Sequence, residues 1–141
     1  MDTIDLKNPT LYINRELSLL EFNRRVIEQA KDENLPLLER LRFLCIASTN
    51  LDEFFEIRVA GLKQQVKYGS TQTGPDNLSP TEVLTRVSET AHQFVEEQYS
   101  VWNDLIIPAM AKDNIRLLRR SQWKSQTSRW IHRYFKDEVL P

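Results

Sequence analysis

Three residue sets in this chain have types and spacing that could do chemistry. One is the stretch ASTNLDEFFEIRVAGL, residues 47 to 62, where the polar knot Ser48-Thr49-Asn50 and the acids Asp52 and Glu53 interrupt an otherwise apolar run. Asparagine offers both a donor and an acceptor, which suits the edge of a nucleobase. The same residues have a simpler use as a helix joint. Asn50 is a good N-cap, Glu53 stands where a capping-box acid belongs, and first-turn acids gain roughly 0.3–1 kcal/mol each from the exposed N–H groups. If Asn50 gives its oxygen to the cap, its amide N–H groups remain for a ligand, so both uses stay open.

The second set is Arg24, Arg25, Arg40, Arg42 and Arg58, which could form an anion surface for phosphate, although Glu21, Glu28, Glu39 and Glu56 offer ion-pair partners. The third is His92 and His132, the two histidines, neither of which has a second histidine or a cysteine at metal-ligand spacing. Glu96, Glu97 and Asp104 lack the paired Glu-x-x-His motifs of a di-metal bundle and read as a solvated face. No Walker or kinase-type glycine-rich loop is present, so no metal site and no self-contained triphosphate site is expected.

The elements that must position these residues read as helices. Glycine occurs only three times and period-2 alternation is nearly absent. After an irregular lead-in over residues 1–14, Ser18 and Glu21 suggest a capping box opening a first helix to about Lys31, with Leu19, Phe22, Val26 and Ala30 as its apolar stripe. Pro36 suits the first turn of a second helix carrying Leu37, Leu38, Leu41, Leu44 and Cys45. Cys45, the single cysteine, is expected to be a buried thiol. A third helix, separate from the second or continuous with it, runs to about Tyr68. The loop GSTQTGPDN (69–77) follows, and then Ser79-Pro80-Thr81-Glu82, the strongest helix start in the chain. That helix could run about 30 residues, roughly 45 Å, until Pro108 bends or ends it.

Ile115 to Leu118 could form a short strand, and Ser121 to Leu140 looks helical with Trp123, Trp130, Ile131, Tyr134 and Phe135. The expected fold is therefore an all-α bundle of three to four principal helices over residues 1–112. Residues 113–141 would begin a second, truncated α/β domain, which marks the chain as a fragment. With 19 basic and 20 acidic residues, the balance argues against a nucleic-acid partner. No run is long and apolar enough to span a bilayer, and MDTIDLKNPT lacks the pattern of a secretory signal, so a cytoplasmic location is expected.

Two segments, YINRELSLLEFNRRVIEQA (12–30) and NLPLLERLRFLCIASTNLDEFFEIRVAGLK (34–63), resemble the N-terminal helical domain of the polyphosphate kinases. The shared features are REL-S-x-L-x-FN-x-RV, PL-x-ER-x-x-F-L and NLDEFF-x-x-RVA, in order and in register; WIHRYF at 130–135 fits more loosely. Leu19 departs from the family, which commonly carries tryptophan there. The resemblance implies an enzyme that moves the terminal phosphate of ATP onto polyphosphate through a phosphohistidine, with Mg²⁺. It implies a homo-oligomeric protein associated peripherally with the cytoplasmic side of the membrane. Its N-terminal domain helps wall the ATP adenine, and the nucleotide-contacting asparagine matches Asn50. The catalytic histidine and the magnesium-binding residues belong to C-terminal domains without counterpart here, so the isolated fragment is expected to be inactive. The alternative is a non-enzymatic helical interaction module, favoured by the aromatic-rich tail.

Overall fold

The computed structural model describes residues 5–140; the first four positions of the lead-in and Pro141 lie outside the described residues. The expected all-α architecture is what the chain adopts. It divides into two compact units that part between Ala109 and Met110.

In the first unit, α1 (Arg15–Lys31) packs against α2 (Leu37–Glu53) and α4 (Pro80–Ser100), and α3 (Ala60–Lys67) packs against α4. Helix α1 starts at Asn14, not at Ser18: the Asn14 Oδ1 accepts from the Glu16 and Leu17 N–H groups, both at 3.1 Å. Its Nδ2 donates to Asp76 Oδ2 at 2.7 Å, tying the loop ahead of α4 to this cap. Asparagine serves as well as serine at an N-cap, so the earlier start wins.

Helices α2 and α3 are not separate. A π-helical stretch, Phe54–Val59, joins them with helical backbone on both sides, giving one continuous helix over residues 37–67. It ends in a Schellman motif at Gly69 (φ +69°), where Gly69 N–H donates to Val66 O and Ser70 N–H to Gln65 O. The capping box at Ser79 forms as expected, with Glu82 N–H on Ser79 Oγ and Ser79 N–H on Glu82 Oε2, and Pro80 at the first helical position. Helical backbone then continues through a second π-helical stretch, Val101–Ile106, and α5 (Ile107–Lys112), passing Pro108 without ending there. The wider turn lies directly ahead of the proline, where the ring would otherwise crowd the preceding carbonyls.

The core is built from Leu20, Ile27 and Ala30 of α1; Leu44, Ala47 and Leu51 of α2; Phe54, Val59 and Leu62; and Val83, Val87, Ala91 and Phe94 of α4. This face of α1 lies about one position from the expected stripe. Leu19 and Phe22 are exposed, and the polar Asn23 occupies the buried position between Leu20 and Ile27. On α2 the buried face runs Arg40, Leu44, Ala47, Leu51, which leaves Leu38 and Cys45 exposed. The expectation of a buried thiol fails because Cys45 lies about 100° around the helix from Leu44. Arg40 is held inside by donating Nε–H to Ala30 O at 2.9 Å, one of the last carbonyls of α1, which lack a partner within their own helix.

The second unit contains α6 (Ser125–Tyr134), preceded by a 3₁₀ turn at Arg120–Gln122 and followed by a π-helical Phe135–Val139. The strand expected at 115–118 does not form, and no strand occurs among the described residues. A four-residue strand without a partner leaves its backbone groups unpaired and gains nothing over a solvated loop. On α6, Trp130 and Tyr134 stack with ring centroids 5.3 Å apart.

Candidate functional site

Asn50 sits in the interior of the continuous helix, three residues from the end of α2, and caps nothing. Its backbone C=O accepts from Phe54 N–H as an ordinary helical carbonyl. The acids Asp52 and Glu53 therefore lie mid-helix, exposed, and gain no first-turn stabilisation. The polar knot is not a joint. Ser48 is half-buried, and Thr49 turns its hydroxyl back onto Cys45 O at 3.2 Å.

The Asn50 side chain is half-buried and reaches α1, where its Nδ2 donates to Asn23 Oδ1 at 3.1 Å. Asn23, only 4% exposed, in turn donates Nδ2–H to Ala47 O at 2.8 Å. Both amides line an open cavity of about 270 Å³. From α1 its wall takes Leu19, Leu20 and Phe22; from α2 and the π-helical stretch it takes Glu53, Phe54, Ile57 and Arg58. The widened turn at Phe54–Val59 begins four residues after Asn50 and supplies one side of this cavity, in keeping with the frequency of π-bulges at functional sites.

This wall has the make-up of a small-ligand site: apolar and aromatic surface with a few fixed polar groups. Leu19 and Phe22, expected in the core, are exposed because they border the cavity instead. The sequence signal for Asn23 is its position in the FN doublet, on a helix face one turn from Leu20 and Ile27.

The five arginines do not converge. Arg24 pairs with Glu21 and Glu97, Arg42 with Glu39, and Arg25 lies over the Phe22 ring, 5.5 Å from its centroid. Arg40 is buried on Ala30 O. Arg58 alone of the five lines the cavity, and among the described residues it makes no ion pair. Glu97 also binds Lys31, which Glu28 holds from the same helix. Burial works to lower the Lys31 pKa, but its hydrogen bonds to Glu28 and Glu97 and their charges outweigh this and raise it.

His92 is exposed, with Nδ1 2.7 Å from Ser88 O, and is not among the residues lining the Asn50 cavity; His132 is exposed on α6. Among the described residues no three His, Cys, Asp or Glu side chains cluster as a group able to hold a metal ion. Among the same residues no helix is long and apolar enough to cross a membrane.

Fold and cavity together define an all-helical domain with an amide-lined, open recess between two of its helices. Comparison with known proteins gives the family. The model of the polyphosphate kinase N-terminal domain matches residues 12–118, and the chain belongs to that family. It is 54% identical over 136 residues to a polyphosphate kinase of Pseudomonas putida, covering 96% of this chain and 19% of that protein. A polyphosphate kinase of Xylella fastidiosa is 47% identical over 135 residues, again 96% of this chain and 19% of the relative. The crystal structure of polyphosphate kinase from Porphyromonas gingivalis superposes with a TM-score of 0.73 at 29% identity, over 92% of this chain and 18% of that one. The chain thus spans about a fifth of the length of these relatives.

Proposed function

We propose that this chain is the N-terminal domain of a polyphosphate kinase and that its Asn50 cavity forms part of the ATP site, on the adenine side. The observation that carries the reading is the placement of Asn50: a side chain matching the family's nucleotide-contacting asparagine, half-buried on an open recess and not sealed in the bundle. Leu19, Phe22, Phe54 and Ile57 offer apolar surface against which a purine can pack, and Asn50 offers a directional contact to its edge.

The cavity lacks a phosphate cradle. Transfer of the terminal phosphate to polyphosphate, its phosphohistidine and its Mg²⁺ belong on this reading to domains outside residues 1–112, with 113–141 opening the next domain. The family also supports a homo-oligomeric, cytoplasmic protein, peripherally attached to the membrane. The function of this domain is then to hold the nucleotide base and to position its neighbours.

Steady-state kinetics of the full-length protein containing this chain test the reading. Asn50→Ala is expected to raise the ATP KM about tenfold with kcat changed far less. An unchanged KM would remove the nucleotide role. The 141-residue chain alone is expected to show no turnover.

A further inference from the structure

The paired amides carry a direction as well as a contact. Ala47 O is a backbone carbonyl and can only accept, so the Asn23 group facing it at 2.8 Å is Nδ2. Asn23 Oδ1 therefore points to Asn50, and an oxygen there requires Nδ2 of Asn50 opposite it, at 3.1 Å. Asn50 Oδ1 is left on the other branch of its amide. Among the described residues nothing donates to that oxygen, and it is not among the buried polar atoms left without a partner. The relay starts at a fixed backbone acceptor and ends at an unbonded acceptor on a residue that lines the cavity.

We propose that Asn23 is a positioning residue that holds Asn50 with its carbonyl oxygen toward the ligand. The cavity then selects a purine with an amino group at C6, as in adenine, over one with a carbonyl there, as in hypoxanthine or guanine. The inference rests on the reading that Asn50 faces the ATP base. An amino group donates to the waiting oxygen, whereas a C6 carbonyl sets two acceptors against each other and leaves both desolvated. Were Asn23 absent, the Asn50 amide could turn over and present Nδ2 instead, and the distinction between the two purines would fade.

The test uses the full-length protein and three nucleotides: ATP, ITP, and purine riboside triphosphate, which carries only hydrogen at C6. The expected order of kcat/KM is ATP, then the purine nucleotide, then ITP, with ATP ahead of ITP by about tenfold or more and the difference residing in KM. Asn50→Ala and Asn23→Ala should each bring the ATP-to-ITP ratio within about threefold. If Asn23→Ala does not fold, the smaller change Asn23→Ser makes the same comparison. ITP serving as well as ATP in the unaltered protein overturns the proposal. A ratio that collapses in Asn50→Ala but survives in the Asn23 variants overturns the positioning role and leaves the base site standing. A ratio and an ATP KM both untouched by Asn50→Ala overturn the site and the proposal together.

Discussion

Asn50 of α2 donates its Nδ2–H to Asn23 Oδ1 of α1 at 3.1 Å, and this contact links the buried interior to the open cavity. The two asparagines differ in burial and should differ in what they contribute to stability. Asn23 is buried with bonds on both sides, so Asn23→Ala is expected to destabilise by about 1–3 kcal/mol. Asn50 stands in a helix interior, where alanine is the better helix former, and water in the cavity can replace its bond to Asn23. Asn50→Ala is expected to stay within about 1 kcal/mol. Urea unfolding of the two variants decides; a larger loss for Asn50 would mean that it is chiefly a packing residue.

The burial of Phe94 on α4 and the exposure of Phe22 on α1 predict a second contrast. Phe94 is 0% exposed against 52% for Phe22. Phe94→Ala is therefore expected to cost about 3–5 kcal/mol. Phe22→Ala should cost less than about 1 kcal/mol, its role being to border the cavity. Equal losses in denaturant titrations would put Phe22 back in the core.

Two charged groups, Glu82 and Lys31, set opposite edges to the pH range of stability. Hydrogen bonds from the Ser79 hydroxyl and backbone N–H lower the Glu82 pKa. Its contribution is thus fully present above the unfolded-state value near ~4.3 and fades as pH falls through the lower folded one. The raised pKa of Lys31 acts in the other sense: its contribution is complete below the unfolded-state value near ~10.4 and fades as pH rises through the folded one. Melting temperatures should show Glu82→Gln losing its difference from the parent under acid conditions, and Lys31→Met under alkaline ones. Differences independent of pH in both variants would contradict the linkage.

Much of this fold was legible because local signals agreed with it. Ser79, Pro80 and Glu82 mark a helix start in three independent ways, and Gly69 opens a loop that contains no large apolar residue. Structure and sequence pattern part where a polar side chain does something nonlocal. Asn23 hides the buried face of α1, because its justification is Ala47 O, 24 residues away. Asn14 out-competes Ser18 as a cap through the same local chemistry, reinforced by Asp76 from a distant loop. Asn50 looked like a cap because Ser-Thr-Asn ahead of two acids is a common helix start; the apolar residues on both sides instead keep the helix running through it. Its partner Asn23 became visible only when the two helices were brought together.

The most direct measurement is photo-crosslinking of the full-length protein with an azido group on the adenine ring of ATP, followed by peptide mapping. The account predicts label, suppressed by excess ATP, on peptides containing residues 19–23 or 50–58. ATP-suppressible label confined to other parts of the protein would contradict it.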